Sequence, residues 1–226
     1  MKNLLACIGV VLVSMQTPHA QTQMRYRNFE LGSSLEAITK LTGASPSQAK
    51  SVHQRPAVIQ ELEWRPRYFV SSGASASDPV AVVTFNFYND QLFRIVAEYD
   101  RYRTTGMTES DLIDAITTTY GQASKPARGT SATVPPRDGV PDTPVATWGN
   151  AEYVVTLLRL ASPETFRLVV AHIQLDQLAR VAAVAALKMD ADEAPQRDLA
   201  RRQREADDAD AARAKSRIEN KAVFEP

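Results

Sequence analysis

Few residues in this chain are spaced for chemistry. Ser47-Gln48-Ala49-Lys50 has the Ser-x-x-Lys spacing, which on one helix turn sets a lysine amine beside a serine nucleophile. Its companion motifs, Lys-Thr-Gly and Ser-Asp-Asn, do not occur. His53 and His172 lie far apart in the chain, whereas a catalytic zinc takes three protein ligands. Neither a Gly-x-Ser-x-Gly elbow nor a Gly-x-x-x-x-Gly-Lys phosphate loop is present. Glu61 with Glu63, and Glu98 with Asp100, stand at i, i+2 and so share a strand face. Paired carboxylates can do acid–base work, but a solvated sheet face has the same pattern. No catalytic residue, metal ligand or cofactor is assigned from these residues.

The aromatic residues carry a different signal. Trp64, Tyr68, Phe69, Tyr88, Tyr102, Trp148 and Tyr153 exceed what an alternating core needs. Trp and Tyr recur at protein interfaces because they bury much area at little entropic cost. Trp64, Tyr88, Tyr102 and Trp148 are therefore the candidate interaction residues. The competing reading makes Trp64 and Trp148 core anchors.

The elements that position these residues follow from periodicity and punctuation. Tyr26 to Leu31 reads as a short strand. Ser33-Ser34-Leu35-Glu36 opens a helix with apolar positions at Leu35, Ile38 and Leu41, and Gly43 stops it. Ser45-Pro46 starts a second helix that runs to about His53. Val58 to Trp64 is a strand, and Ser71 to Asp78 a flexible loop. Ala81, Val83, Phe85 and Phe87 alternate with polar positions, as do Phe93, Ile95, Ala97 and Tyr99. Both sets are odd-numbered. Residues opposite one another in a hairpin share a face, so the parity predicts a three-residue loop, Tyr88-Asn89-Asp90. Thr108 and Asp111 repeat the capping spacing ahead of a helix to Tyr120, with Gly121 as its stop. Gln122 to Pro144 holds five prolines and reads as a long loop. Val145 to Trp148, Tyr153 to Leu160 and Thr165 to Leu175 complete a three-stranded meander.

The halves match in order. Ala37-Ile38-Thr39 with Gly43 matches Ala115-Ile116-Thr117 with Gly121. Trp64 matches Trp148, and Val82-Val83-Thr84 matches Val154-Val155-Thr156. Phe93-Arg94 and Val96 match Phe166-Arg167 and Val169. The expected fold class is α+β, with two tandem helix-then-antiparallel-sheet units pooling one sheet. The units span 24–100 and 101–175, the second with the Pro-rich insertion 122–144.

Gly106-Met107-Thr108-Glu109-Ser110-Asp111-Leu112, running on to Tyr120-Gly121, resembles the Gly-Met-Thr helix opening of a bacterial envelope group. That group is the small outer-membrane lipoprotein and β-lactamase-inhibitor-protein-like superfamily. Phe29-Glu30-Leu31-Gly32-Ser33-Ser34-Leu35 looks like a degenerate copy of the same opening. The resemblance implies two helices and a short antiparallel sheet per unit, two units in tandem, and function by binding. The chain departs from the group in three ways: it has no lipobox with a full apolar stretch before the cysteine, no stapling cysteines, and a Pro-rich insertion. No functional residue and no target transfers.

The first 20 residues read as a secretory signal peptide. Lys2 gives the positive start, Leu4 to Val13 the short apolar run, and Pro18-His19-Ala20 the exit before Gln21. A spanning helix needs about 20 apolar residues, so no membrane span is expected in the mature chain. Its compartment is then the bacterial periplasm or the exterior. The sole cysteine, Cys7, leaves with the signal, which excludes disulfides. Without Lys2 the balance is 25 basic against 26 acidic residues, which gives no electrostatic case for nucleic acid.

Residues 176–226 form a charged tail. Asp176 to Met189 is a helix able to dock through Leu178, Val181, Val184, Ala185 and Leu187, and Pro195 interrupts it. Gln196 to Lys221 has eight basic and six acidic residues and almost no apolar stripe. It is expected to be a frayed or disordered appendage, with an extended partner-recruiting helix as the alternative. Taken together, these features suggest an exported, non-catalytic protein-binding module, its partner another envelope or secreted protein. The alternatives are an envelope assembly factor acting through the tail, and a small hydrolase with an unrecognised site.

Overall fold

The computed structural model describes residues 24–66, 78–126, 142–160, 165–223 and 225. The signal segment, Tyr68, Phe69, most of the Ser71–Asp78 loop and most of the Pro-rich insertion lie outside these residues. The protein is α+β, with helices set against one large antiparallel sheet.

The expected first strand is a miniature hairpin, β1 (Arg25–Tyr26) against β2 (Phe29–Glu30), turning at Arg27 with φ 56°. Helix α1 (Leu35–Thr42) follows. The Ser34 hydroxyl accepts from the Ala37 amide at 3.2 Å, which satisfies one orphan donor of the first turn. Gly43, at φ 69°, ends the helix in the left-handed conformation that glycine adopts without strain. Ile38 is buried on α1, whereas Leu41 is half exposed.

The second helix expected from Ser45-Pro46 is a single 3-10 turn, Pro46–Gln48. The Ser45 amide donates to Gln48 Oε1 at 2.9 Å, so the capping box closes the turn on itself. Lys50–His53 then leaves as strand β3 and pairs with β4 (Ile59–Trp64). Sheet-edge pairing overrides the local helix signal.

β5 (Val80–Tyr88) and β6 (Gln91–Tyr99) form the central hairpin. Its loop is two residues, not three: Tyr88 faces Gln91, and Asn89 and Asp90 both have positive φ, at 46° and 65°. Such a turn matches the strand twist. Parity is restored inside the ladder. Phe87 faces Leu92 while Asn86 faces Arg94, leaving Phe93 as a bulged residue. Phe93 therefore joins a different apolar cluster from Ile95 and Ala97.

Helix α2 (Glu109–Tyr120) starts at Thr108, whose amide and hydroxyl both reach Asp111 at 2.8 Å. β7 (Thr143–Gly149), β8 (Tyr153–Arg159) and β9 (Phe166–His172) form the expected meander. The last strand stops at His172 rather than Leu175, because the backbone turns helical at Ile173.

The seven-stranded sheet has the order β3-β4-β5-β6-β9-β8-β7. The two meanders meet where β6 pairs β9, with Val96 opposite Val169 at the centre of the ladder. On one face, Phe85, Phe87, Ile95, Leu157 and Val170 join Phe29 of the hairpin, Ile38 of α1 and Leu112 and Ile116 of α2 in the main core.

Helix α3 (Ile173–Val223) is continuous through Pro195, which was expected to break it. Proline cannot donate to the carbonyl four residues back and crowds it. Arg197 adds a contact in the preceding turn: its guanidinium donates to the Asp190 carbonyl at 2.8 Å and to the Asp190 carboxylate at 3.2 Å. The docking face also differs from the expected one. Leu178, Val181, Val184 and Leu187 are exposed, while Ala179, Ala182 and Ala186 are buried. Alanine lets the helix axis approach the sheet closely, and a 3.6-residue period cannot bury both sets.

The Gly149 turn supplies a direct test of this geometry. A Cβ there would stand 2.2 Å from the Tyr153 carbonyl oxygen, and φ is 136°. Gly149→Ala is expected to cost about 2 kcal/mol or more, from backbone strain and displacement of Tyr153. Gly43→Ala, which meets open space, should cost about 1 kcal/mol. Urea unfolding of the two variants checks the difference.

Candidate interaction surface

The four candidate interaction residues occupy four different settings. Trp148 on β7 is 2% exposed and its Nε1 donates to Thr117 Oγ1 of α2 at 3.2 Å. Its ring is used in the core. Trp64 on β4 sits at the core's rim, edge-on to Phe29 with ring centroids 5.5 Å apart. Tyr88 packs with the α3-docking cluster. Tyr102 alone among them is 78% exposed, with the Arg101 guanidinium 5.3 Å from its ring centroid. β4 and β7 are five strand spacings apart, about 24 Å, so the two tryptophans do not share a patch.

The groups considered for chemistry serve the fold. Ser47 lies in the 3-10 turn with its hydroxyl 2.8 Å from that of Ser45, while Lys50 lies on β3, so Ser-x-x-Lys is not on one helix turn. His172 Nδ1 accepts from the Leu175 amide at 3.4 Å at the start of α3. His53 is on β3 rather than at a helix end. Glu98 pairs with Arg167, and Asp100 accepts from the Tyr102 amide at 2.8 Å. Glu63 pairs with Arg65 at 2.8 Å. Among the described residues, no group of three or more His, Cys, Asp or Glu could hold a metal ion.

Two further features escaped the sequence reading. One is a set of buried arginines, one on each central strand. Arg94 of β6 donates through Nε to Asp176 Oδ1 at 2.8 Å, and Arg180 donates through Nε to Asp176 Oδ2 at 2.9 Å. Burial works against the Arg94 charge, and Asp176 opposes that effect. Arg167 of β9, 1% exposed, reaches Asp142 at 2.6 Å and Glu98 at 3.0 Å. The second feature is a cavity of about 370 Å³ between α2 and the sheet, lined by Tyr26, Tyr99, Tyr120, Met107 and Ile116, with Arg27 beside it. Arg27 donates to both Asp78 oxygens at 2.6 and 2.7 Å, which holds that carboxyl below its ordinary range.

These contacts fix how α3 meets the body. Asp176 clamps the first turn to β6. Ala179 and Ala182 rest on Ala57, Ile59 and Phe93. Arg55 donates to Glu193 through two nitrogens, each at 2.6 Å. From 194 to 223 every described residue is exposed except Ala209, which is half-buried. That segment is about 45 Å of helix standing clear of the body.

Asp176→Ala would leave Arg94 buried without its counter-ion, and is expected to cost about 3–5 kcal/mol. Arg55→Ala, at a solvent-exposed pair, should leave the unfolding midpoint nearly unchanged. Chemical denaturation separates the two. The tyrosines give a pH test. Burial is the main cause that lifts Tyr99 and Tyr120 to about 12 and Tyr26 further still, from an ordinary 10.0. The folded state thus disfavours their ionisation. Stability is full below pH 10 and falls as pH rises from 10 to 12. Thermal melts beside a phenolate absorbance titration should show unfolding and ionisation advancing together across that window.

Compared with known proteins, the chain matches no family model, no curated protein and no solved structure.

Proposed function

We propose that the chain is an exported, non-catalytic protein-binding module whose contact element is α3. The observation that carries this is the exposure of residues 194–223 beyond a clamped root. A helix this long and polar stands to gain from packing against something, since helices in water draw most of their stability from tertiary contacts. The reading joins the binding-module and tail-mediated alternatives in one arrangement. The structural uses found for Ser47, His172, Glu98 and Asp100 support binding over catalysis. The Lys2 and Leu4–Val13 pattern supports export, and a periplasmic or secreted location follows from it.

The body is proposed to be two tandem units, α1 with β4–β6 and α2 with β7–β9, in the manner of the inhibitor-protein-like superfamily. Pairing register supports this. Trp64 faces Val83 and Trp148 faces Val155, so residues matched in sequence occupy matched cross-strand positions. Val96 and Val169, also matched, face one another, as a pseudo-twofold axis through the β6–β9 ladder requires.

The test is in-cell cross-linking followed by capture of a tagged chain and mass spectrometry. One dominant envelope or secreted partner, lost on deletion of 194–223 while the melting transition of the body persists, is the expected result. Capture unchanged by the deletion would move the contact to the body. Substrate turnover abolished by a single carboxylate or serine change would replace binding with catalysis.

A further inference from the structure

From Lys188 onward α3 carries its charges in four consecutive blocks of alternating sign, with Glu193 of the first block also held by Arg55. Residues 188–196 hold Lys188, Asp190, Asp192 and Glu193, a net −2. Residues 197–204 hold four arginines and Asp198, a net +3. Residues 205–212 hold Glu205, Asp207, Asp208 and Asp210, a net −4. Residues 213–221 hold Arg213, Lys215, Arg217, Lys221 and Glu219, a net +3.

Within one helix these blocks are only partly satisfied. Arg201 lies 3.0 Å from Asp198 and 3.9 Å from Glu205, and Arg213 lies 3.2 Å from Asp210. Yet Arg197 and Arg201, Arg213 and Arg217, and Arg217 and Lys221 are four residues apart. Asp207 and Asp210 are three apart. Like charges at these spacings destabilise a lone helix.

We propose that this segment pairs with the same segment of a second copy, antiparallel, about a twofold axis between Arg204 and Glu205. Reflection about that point lays 197–204 of one copy against 205–212 of the other, and 188–196 against 213–221. Every block then faces its opposite. An in-register parallel arrangement sets every block against itself. The antiparallel pairing is isologous and closes at two copies. It also gathers exposed apolar residues of the ends, with Ile218 falling beside Ala191 and Ala222 beside Leu187. Leu187, Ile218 and Val223 are all more than 60% exposed in the single chain. Alanines 206, 209, 211, 212 and 214 keep the helix surface low near the axis, so two backbones can approach closely. The overlap from 186 to 223 is about 55 Å long, with one body at each end. The inference rests on α3 being the contact element, and it names a second copy as the occupant.

Sedimentation velocity of the purified full chain tests it. A dimer is expected in 50 mM NaCl, with its dissociation constant rising ~10-fold or more in 500 mM NaCl as surface charges are screened. Reversing the acidic block (E205K, D207K, D208K, D210K) should give a monomer, and so should reversing the basic one (R197E, R201E, R202E, R204E). An equimolar mixture of these two variants should restore a dimer. Circular dichroism on each variant confirms that the helix remains. A wild-type chain that is monomeric at 50 mM NaCl overturns the proposal. So does a dimer that survives both reversals, or two monomeric variants that fail to pair when mixed. If the chain is monomeric but its tail still captures a different protein, self-pairing fails while the binding-module reading stands.

Discussion

The β6–β9 ladder is the pairing on which everything else depends. Five consecutive residue pairs, from Arg94–Ala171 to Glu98–Arg167, join two meanders that touch mainly here. Without it the sheet would split into a four-stranded part, β3 to β6, and a three-stranded part, β7 to β9, each with one helix and a newly freed edge, close to the minimum for independent stability. With it, one apolar face runs across the joined strands and the main core is continuous beneath α1 and α2. The same two strands place Arg94 and Arg167 where they must be desolvated. Each arginine then recruits a carboxylate from elsewhere in the chain, Asp176 for one and Asp142 for the other.

The Arg94–Asp176 contact turns this sheet architecture into a way of holding a helix. An alanine-faced contact buries little area per turn, so hydrophobic burial alone would leave the direction of α3 weakly set. A buried ion pair adds little net stability but is costly to break or misplace, which makes it a good determinant of orientation. The exposed clamp from Arg55 to Glu193 lies nearly five turns further on. Two polar contacts bracketing a thin apolar seam define a line, and the rest of α3 continues along it.

Helix ends and strand positions were largely legible in the sequence, because they rest on local chemistry. Ser34, Thr108, Gly43 and Gly121 mark their boundaries through hydrogen bonds or φ preferences that any context preserves. The features that were not legible depend on long-range competition. The odd parity of the β5–β6 hairpin is equally satisfied by a longer loop or by a bulge, and only the ladder with β4 and β9 decides. The strand at Lys50–His53 exists because β4 offers it an edge. On α3, the Leu and Val residues looked like the docking face because they are bulkier, yet the sheet surface around Ala57 and Phe93 selects alanine. Trp148 and Tyr102 were grouped by residue type, and residue type does not report depth.

Pro195 adds a mechanical consequence. It sits just beyond the Arg55 clamp, where the helix leaves its support, and it removes one backbone hydrogen bond from the rod. Bending stiffness is therefore lowest at the point with the longest lever arm. A change of 20° there would carry Val223 through roughly 15 Å, given about 42 Å of helix beyond it. The body could stay fixed while the distal segment swept a wide cone. Such a rod trades rigidity for capture radius, so one weakened turn widens the range of partner positions that the distal segment can meet.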